Sequence, residues 1–176
     1  TSGFDTGLKY AQGPIMAAVT YNAVFTNDAT NLKISDLRVG ASYNFGTASV
    51  RAMFDLARAD NLGGKKFTQA VYGLGATFDL TQASKLLGQV YVARDVKQGG
   101  SSQDDSGAKL FELGFQHSLS KRTMLKATYA LIKNDNNASY DFGANAAGVN
   151  PGGLPAGISA VGGSVQGISF GVRHTF

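Results

Sequence analysis

The sequence contains no cysteine, no tryptophan and only 3 prolines in 176 residues. Without cysteine it holds no disulfide, no thiolate nucleophile and no zinc–thiolate centre, and it fits passage through an oxidising compartment. No stretch approaches the roughly 18 consecutive apolar residues of a membrane-spanning helix. The opening TSGFDTGLKY is already polar, with no charged-then-apolar leader, so either a leader has been removed or the chain begins partway through a longer protein. No HExxH spacing occurs, and GLGATF at 73–78 lacks the third glycine and the following helix of a dinucleotide fingerprint. Helical spacing is absent too: in VRAMFDLA at 50–57, Val50, Ala52, Phe54 and Leu56 share one parity and Arg51, Met53 and Asp55 the other.

What is present is 23 glycines, 11 phenylalanines and 7 tyrosines in a chain that is 43% hydrophobic. Mean hydropathy is −0.07, an ordinary value. Gly-rich, aromatic chains of this kind point to β-structure with many tight turns. The net charge is +4. Apart from Lys65-Lys66 and Lys121-Arg122, however, the basic residues are scattered singly through apolar alternations, which excludes a nucleic-acid-binding stripe.

Period-two alternation resolves about nine stretches, near 3–11, 15–25, 32–45, 48–59, 67–79, 85–95, 107–119, 123–134 and 164–176. Short turns at 12–14, 46–47, 81–84 and 120–122 alternate with the longer connections NDATN, ADNLGGKK, KQGGSSQDDSG and residues 135–163. Short links on one edge and long loops on the other describe an antiparallel up-and-down meander. A soluble barrel turns its apolar parity inward, whereas an outer-membrane barrel turns it toward lipid. Stretches of roughly 9–11 residues match a tilted bilayer crossing better than ordinary soluble strands, which have about 5–6. Tyr10, Tyr43, Phe45, Phe78, Phe115, Tyr129 and Phe176 include several rings near short turns or the terminus, as an interfacial girdle requires. The expected fold is therefore an all-β transmembrane barrel wall in the bacterial outer membrane.

YAQGPIMAAVTYN (10–22), LRVGASYNFGTASVRAMF (37–54), YGLGATFDLTQASKLLGQVYVA (72–93), LGFQHSLSKRTMLKATYALIKN (113–134) and the terminal GISFGVRHTF resemble the C-terminal part of a Gram-negative general porin, of the β-proteobacterial, anion-selective type. The resemblance implies a sixteen-stranded barrel, a homotrimer, a lipid and lipopolysaccharide surround, and a passive pore for small hydrophilic solutes, with neither enzyme activity nor a cofactor. It also implies that Phe176, a terminal aromatic, is read by the barrel-assembly machinery. Nine strands cannot close antiparallel, because the first and last run in the same direction. Residues 1–176 are thus expected to be one portion of a single barrel domain, completed by an N-terminal half that carries the family's constriction loop. The alternative is a non-conducting structural or adhesive barrel whose loops bind.

The polar parity supplies the candidate pore-lining residues Lys9, Asp36, Arg38, Arg51, Asp55, Glu112, Lys126 and Arg173. Basic groups outnumber acidic ones among them, which favours anions in a wet pore. His117 and His174 fall on the apolar parity near short turns, where interfacial packing rather than general-base chemistry is expected. No metal site is expected, with Asp104 and Asp105 as weak oxygen-ligand candidates in an otherwise solvated acidic loop. The Gly-rich stretch at 142–163 reads as a mobile extracellular loop.

Overall fold

The computed structural model describes residues 1–26, 31–142 and 161–176. Its strands are β1 (Ser2–Gln12), β2 (Ile15–Phe25), β3 (Lys33–Asn44), β4 (Ala48–Leu62), β5 (Lys65–Asp79), β6 (Ser84–Ala93), β7 (Lys97–Gln98), β8 (Ser101–Ser102), β9 (Ala108–Ser118), β10 (Thr123–Asn134) and β11 (Ser164–His174). The long strands lie in the order β1-β2-β3-β4-β5-β6-β9-β10-β11, every neighbour antiparallel, so the chain forms one open meander. Among the described residues β1 and β11 do not pair with each other.

Side-chain oxygens hold the short turns. Asn44 Oδ1 accepts from Gly46 N at 2.8 Å. Thr81 Oγ1 accepts from Ala83 N and Ser84 N at 3.2 and 3.0 Å, and Ser120 Oγ accepts from Arg122 N and Thr123 N at 3.2 and 3.1 Å. These Asx and Ser/Thr turns fix the register of the hairpins they close. β2, β4, β6 and β10 all end on the opposite edge, so Asn134 and Ser164 lie on a different edge from the turn at 12–14.

Two of the expected loops are instead strand. ADNLGGKK carries β4 to Leu62 and restarts β5 at Lys65, after a register shift between Ala59 and Leu62. Its turn is Gly63-Gly64, with φ of 60° and 76°, the positive pair that a two-residue hairpin requires. KQGGSSQDDSG contains the β7–β8 hairpin, and β7 extends the sheet by pairing Phe67 with Gln98 and Thr68 with Lys97. The expected loop NDATN lies largely outside the described residues, as does most of 142–163.

Antiparallel partners share a face, so the registers sort the strand residues into two sets. One face carries Leu8, Tyr10, Val19, Val39, Tyr43, Val50, Phe54, Tyr72, Leu74, Phe78, Leu113, Phe115, Leu125, Tyr129, Ile168, Phe170 and Val172. Large apolar side chains of this face are accessible on the inner strands as well as at the edges, with Leu74 at 60% and Leu113 at 61%. Within the regular registers, the large exposed hydrophobics on the other face are Met16, Val24 and Ile34. Formal charges on the apolar face gather toward the long-loop edge, among them Lys33, Arg58, Asp60, Lys97, Lys109 and Lys133. Below them β5, with Leu80 just after it, runs uncharged on that parity from Ala70 to Leu80, about 33 Å of chain, or about 25 Å of height at a tilt of about 40°. An outward apolar band in membrane barrels is about 25 Å tall.

Rings mark both ends of this band. Tyr43 and Phe45 pack at 4.6 Å by the short-turn edge, with Tyr10, Phe78 and Phe115 on the same side. His117 stacks on Phe115 and pairs with Ser84 Oγ at 2.9 Å, whereas His174 meets Phe176 edge-on at 5.0 Å and pairs with Thr123 Oγ1 at 2.9 Å. A second cluster, not singled out in the sequence, sits toward the long-loop edge: Phe4 lies 5.7 Å from Tyr21 and 6.4 Å from Phe25, and Lys33 rests over the Phe25 ring. Tyr129 belongs to neither end. It pairs with Leu113 and Ile168 in mid-strand, and its hydroxyl donates to Gln166 Oε1 at 3.1 Å.

Candidate pore-lining face

The other face gathers the polar parity. Lys9 pairs with Ala18, Asp36 with Asn22, Arg38 with Asp55, Arg51 with Ser42, Glu112 with Gln89, Lys126 with Gly171 and Arg173 with Met124. The cross-strand chains Ala18-Gly40-Met53-Gly73-Tyr91-Leu110-Ile132 and Met16-Ser42-Arg51-Gly75-Gln89-Glu112-Ala130 put all eight candidates on one side of the sheet. Asp5, Asp79 and Lys85 share that side and were not among the candidates.

Two arrangements stand out. Arg38 and Asp55 are direct partners on β3 and β4, with Nε and Nη2 at 2.6 and 2.5 Å from Oδ2. Asp36, two residues along β3, lies 3.7 Å from the same guanidinium. Asp55 is only 6% accessible, so Arg38 caps a carboxylate that the sheet has almost wholly removed from water. One arginine between two carboxylates leaves this cluster with no excess positive charge.

The second arrangement depends on small residues in β5. A Cβ at Gly73 would stand 2.5 Å from the Tyr91 ring and 2.6 Å from Met53 Cγ, so the missing side chain is what lets Tyr91 and Met53 lie across the strand. At Gly75 a Cβ would meet Arg51 Cγ at 3.2 Å and Gln89 Cβ at 3.3 Å. Arg51 therefore lies over β5, toward the Gln89–Glu112 pair, where Gln89 Nε2 donates to Glu112 Oε2 at 2.8 Å and Tyr91 donates to Gln89 Oε1 at 3.2 Å. The spacing of GLGATF thus clears a lane across β4, β5 and β6.

Lys85 pairs with Asp79 at 3.2 Å, a mutual neutralisation. Among the described residues Lys9, Arg51, Lys126 and Arg173 have no carboxylate within ion-pair distance. The basic excess of this face thus rests on unpaired cations, because the added Asp5, Asp79 and Lys85 narrow the simple count. Asp104 and Asp105 lie outside the strands, in the connection before β9. Asp105 Oδ2 accepts from Asn136 at 3.1 Å and the Asp104 carbonyl from Asn137 at 2.9 Å. Phe176 is fully accessible apart from its contact with His174.

A family model described as Gram-negative porin matches residues 1–137. The outer membrane porin protein 32 of Delftia acidovorans is 34% identical over 142 residues, covering 80% of this chain and 36% of that protein. Among solved structures, outer-membrane expressed OmpT of Vibrio cholerae superposes with a TM-score of 0.70 at 12% identity, covering 98% of this chain and 55% of that one. The trimer form of in-vitro folded OmpT gives 0.68, also at 12% identity, over 97% and 55%. The chain thus spans about half of the structures it matches, and a smaller share of its curated relative. An open antiparallel sheet with an uncharged, exposed apolar band, superposing on outer-membrane barrels and matched over most of its length by the family model, belongs to the Gram-negative porin family of the bacterial outer membrane.

Proposed function

We propose that this chain is the C-terminal part of a trimeric outer-membrane barrel, and that its polar face lines a water-filled pore for passive diffusion of small hydrophilic solutes, preferentially anions, without enzymatic chemistry. One observation carries the reading: the apolar face is accessible and uncharged over about 25 Å, while the charges stand on the opposite face, the inverse of a soluble barrel. Unpaired Lys9, Arg51, Lys126 and Arg173 raise the local anion concentration and oppose cation entry.

The remaining features fit the same setting. Short turns belong to the periplasmic side and long connections to the exterior in such barrels. Lys109 and Lys133 are direct cross-strand partners on the apolar face at the long-loop edge, where two ammonium groups suit the anionic headgroups of lipid and lipopolysaccharide. Phe176, bare at the chain end and on the apolar parity, suits recognition by the assembly machinery.

The test is a reversal potential under a salt gradient, with the intact porin carrying this chain in planar bilayers. Anion-biased steps are expected, moving toward cations when Arg51 and Lys126 are both replaced by glutamate. A protein that inserts without conducting steps is instead the structural or adhesive barrel, and a cation bias in the unaltered protein contradicts the charge argument.

A further inference from the structure

Residues 135–142 leave the end of β10 and, instead of continuing away from the sheet, turn back over its polar face. Three anchors hold them, each on a residue whose register places it on that face. Asn134, opposite Ala108, clamps Tyr140 at two points: its Oδ1 accepts from Tyr140 N at 2.7 Å and its Nδ2 donates to Tyr140 O at 2.9 Å. Gln69, opposite Ala57 on β5, donates from Nε2 to the Tyr140 hydroxyl at 2.5 Å. Gly167, opposite Ala130 on β11, has the Phe142 ring above it, since a Cβ there would meet Phe142 Cε2 at 3.5 Å.

β10 and β5 are three inter-strand steps apart, about 14 Å along the sheet. Tyr140, held beside β10, thus reaches across the polar face to a glutamine on β5. The segment therefore spans a chord of the curved wall on the lumen side. Ala108, Ile132 and Ala138 are buried at this corner, at 6%, 5% and 4% accessibility, although among the described residues no second sheet covers the polar face. Further ties hold the segment's outer side: Asp135 N to Gly107 O at 3.0 Å, Asn137 N to Asp105 O at 2.8 Å, and Asn136 Nδ2 to Asp105 Oδ2 at 3.1 Å. Gly167 lies three residues past Ser164, so Phe142 reaches about 10 Å down β11 from the start of that strand.

We propose that residues 135–142 form a fixed inward strap that narrows the outer mouth of the pore in this half of the barrel, with Tyr140 and Phe142 as size-determining residues for the solute. Both side chains are uncharged and rigid, so the strap sieves by cross-section, while the unpaired cations deeper on the wall sort by charge. The inference rests on the polar face being the lumen, and its test separates the two.

Residues 1–176 contain no cysteine, and any cysteine in the remainder of the intact porin is first replaced by serine. Gln69→Cys with Tyr140→Cys should be joined by a short bifunctional thiol reagent in the folded, membrane-inserted porin. Lys109→Cys with Tyr140→Cys should not, because Lys109 stands on the apolar face of β9. Joint Tyr140→Ala and Phe142→Ala should raise single-channel conductance by about 1.5-fold or more, since conductance follows the open cross-section, and should admit larger neutral sugars with little change in reversal potential. Asn134→Ala, which removes the clamp and leaves the backbone ladder of β10 intact, should move both readouts the same way, with unheated electrophoretic mobility reporting that the barrel has folded. Linkage to position 109 instead of 69, or normal conductance and sugar exclusion in a folded Tyr140→Ala, Phe142→Ala protein, overturns the strap while anion-biased conduction stands. A protein that links 69 to 140 yet carries no current overturns the pore reading, and the sieving role with it.

Discussion

Replacing Leu113 by arginine isolates the membrane argument at one side chain. Leu113 sits in mid-β9 on the apolar face, 61% accessible, with Gly88 and Tyr129 as cross-strand partners. From Leu119, where the uncharged band meets the short turn, it is about 20 Å along the strand and about 15 Å in height, near the middle of a band about 25 Å tall. If that band faces hydrocarbon, an arginine there costs about 2–4 kcal/mol. The folded-to-unfolded ratio then falls about 30- to 700-fold, since 1.4 kcal/mol is tenfold. If the same face is wet, an exposed leucine exchanged for arginine stays within about 0.5 kcal/mol. Glu112, one residue away on the polar face, is the internal comparison: Glu112→Arg loses the acceptor for Gln89, about 1 kcal/mol, and sets a water-screened like charge toward Arg51. Reversible urea unfolding of the intact porin from lipid vesicles measures both. Equal losses for the two substitutions, or none for Leu113→Arg, refute the lipid assignment of the apolar face.

Further outcomes follow from single contacts. Arg38→Ala uncaps the nearly buried Asp55 and is expected to cost about 1–3 kcal/mol; most of that should return in the Arg38→Ala, Asp55→Asn double variant, measured by the same unfolding. Gly73→Ala drives a methyl into Tyr91 and Met53 and should cost about 1–3 kcal/mol, with a smaller loss in a Tyr91→Ala background; an equal loss there removes the ring from the explanation. Deleting Phe176 should lower the yield of assembled barrel in cells far more than refolding in detergent, and equal effects on both would make the residue structural only.

What the sequence revealed was whatever repeats with the pleat. Alternation across LRVGASYNF and VRAMFDLA placed Arg38 and Arg51 opposite to Val39 and Val50, and the registers agree. The Arg38–Asp55 pair was also within reach, because the turn at 45–47 fixes which residues of β3 and β4 face each other. The outer ends of β4 and β5 were missed because the strands there have left the apolar band: Arg58-Ala59-Asp60-Asn61 has no greasy parity to count. The Gly63-Gly64 and Gly99-Gly100 dipeptides were the available signals, since each supplies two positive φ values for a tight hairpin. The strap over the polar face left no trace in period or composition. It depends on the amide of Asn134 binding both backbone groups of one residue six positions on, which only the folded path reveals.

The claim on which everything else depends is that successive residues of one strand alternate between lipid and water. Single cysteines at Arg51, Ala52, Met53 and Phe54 of the intact porin, reacted in membranes with a charged thiol reagent small enough to enter the pore, test it directly. Fast labelling at 51 and 53, with slow labelling at 52 and 54, is the predicted result; uniform labelling along the four positions, or the opposite alternation, contradicts it.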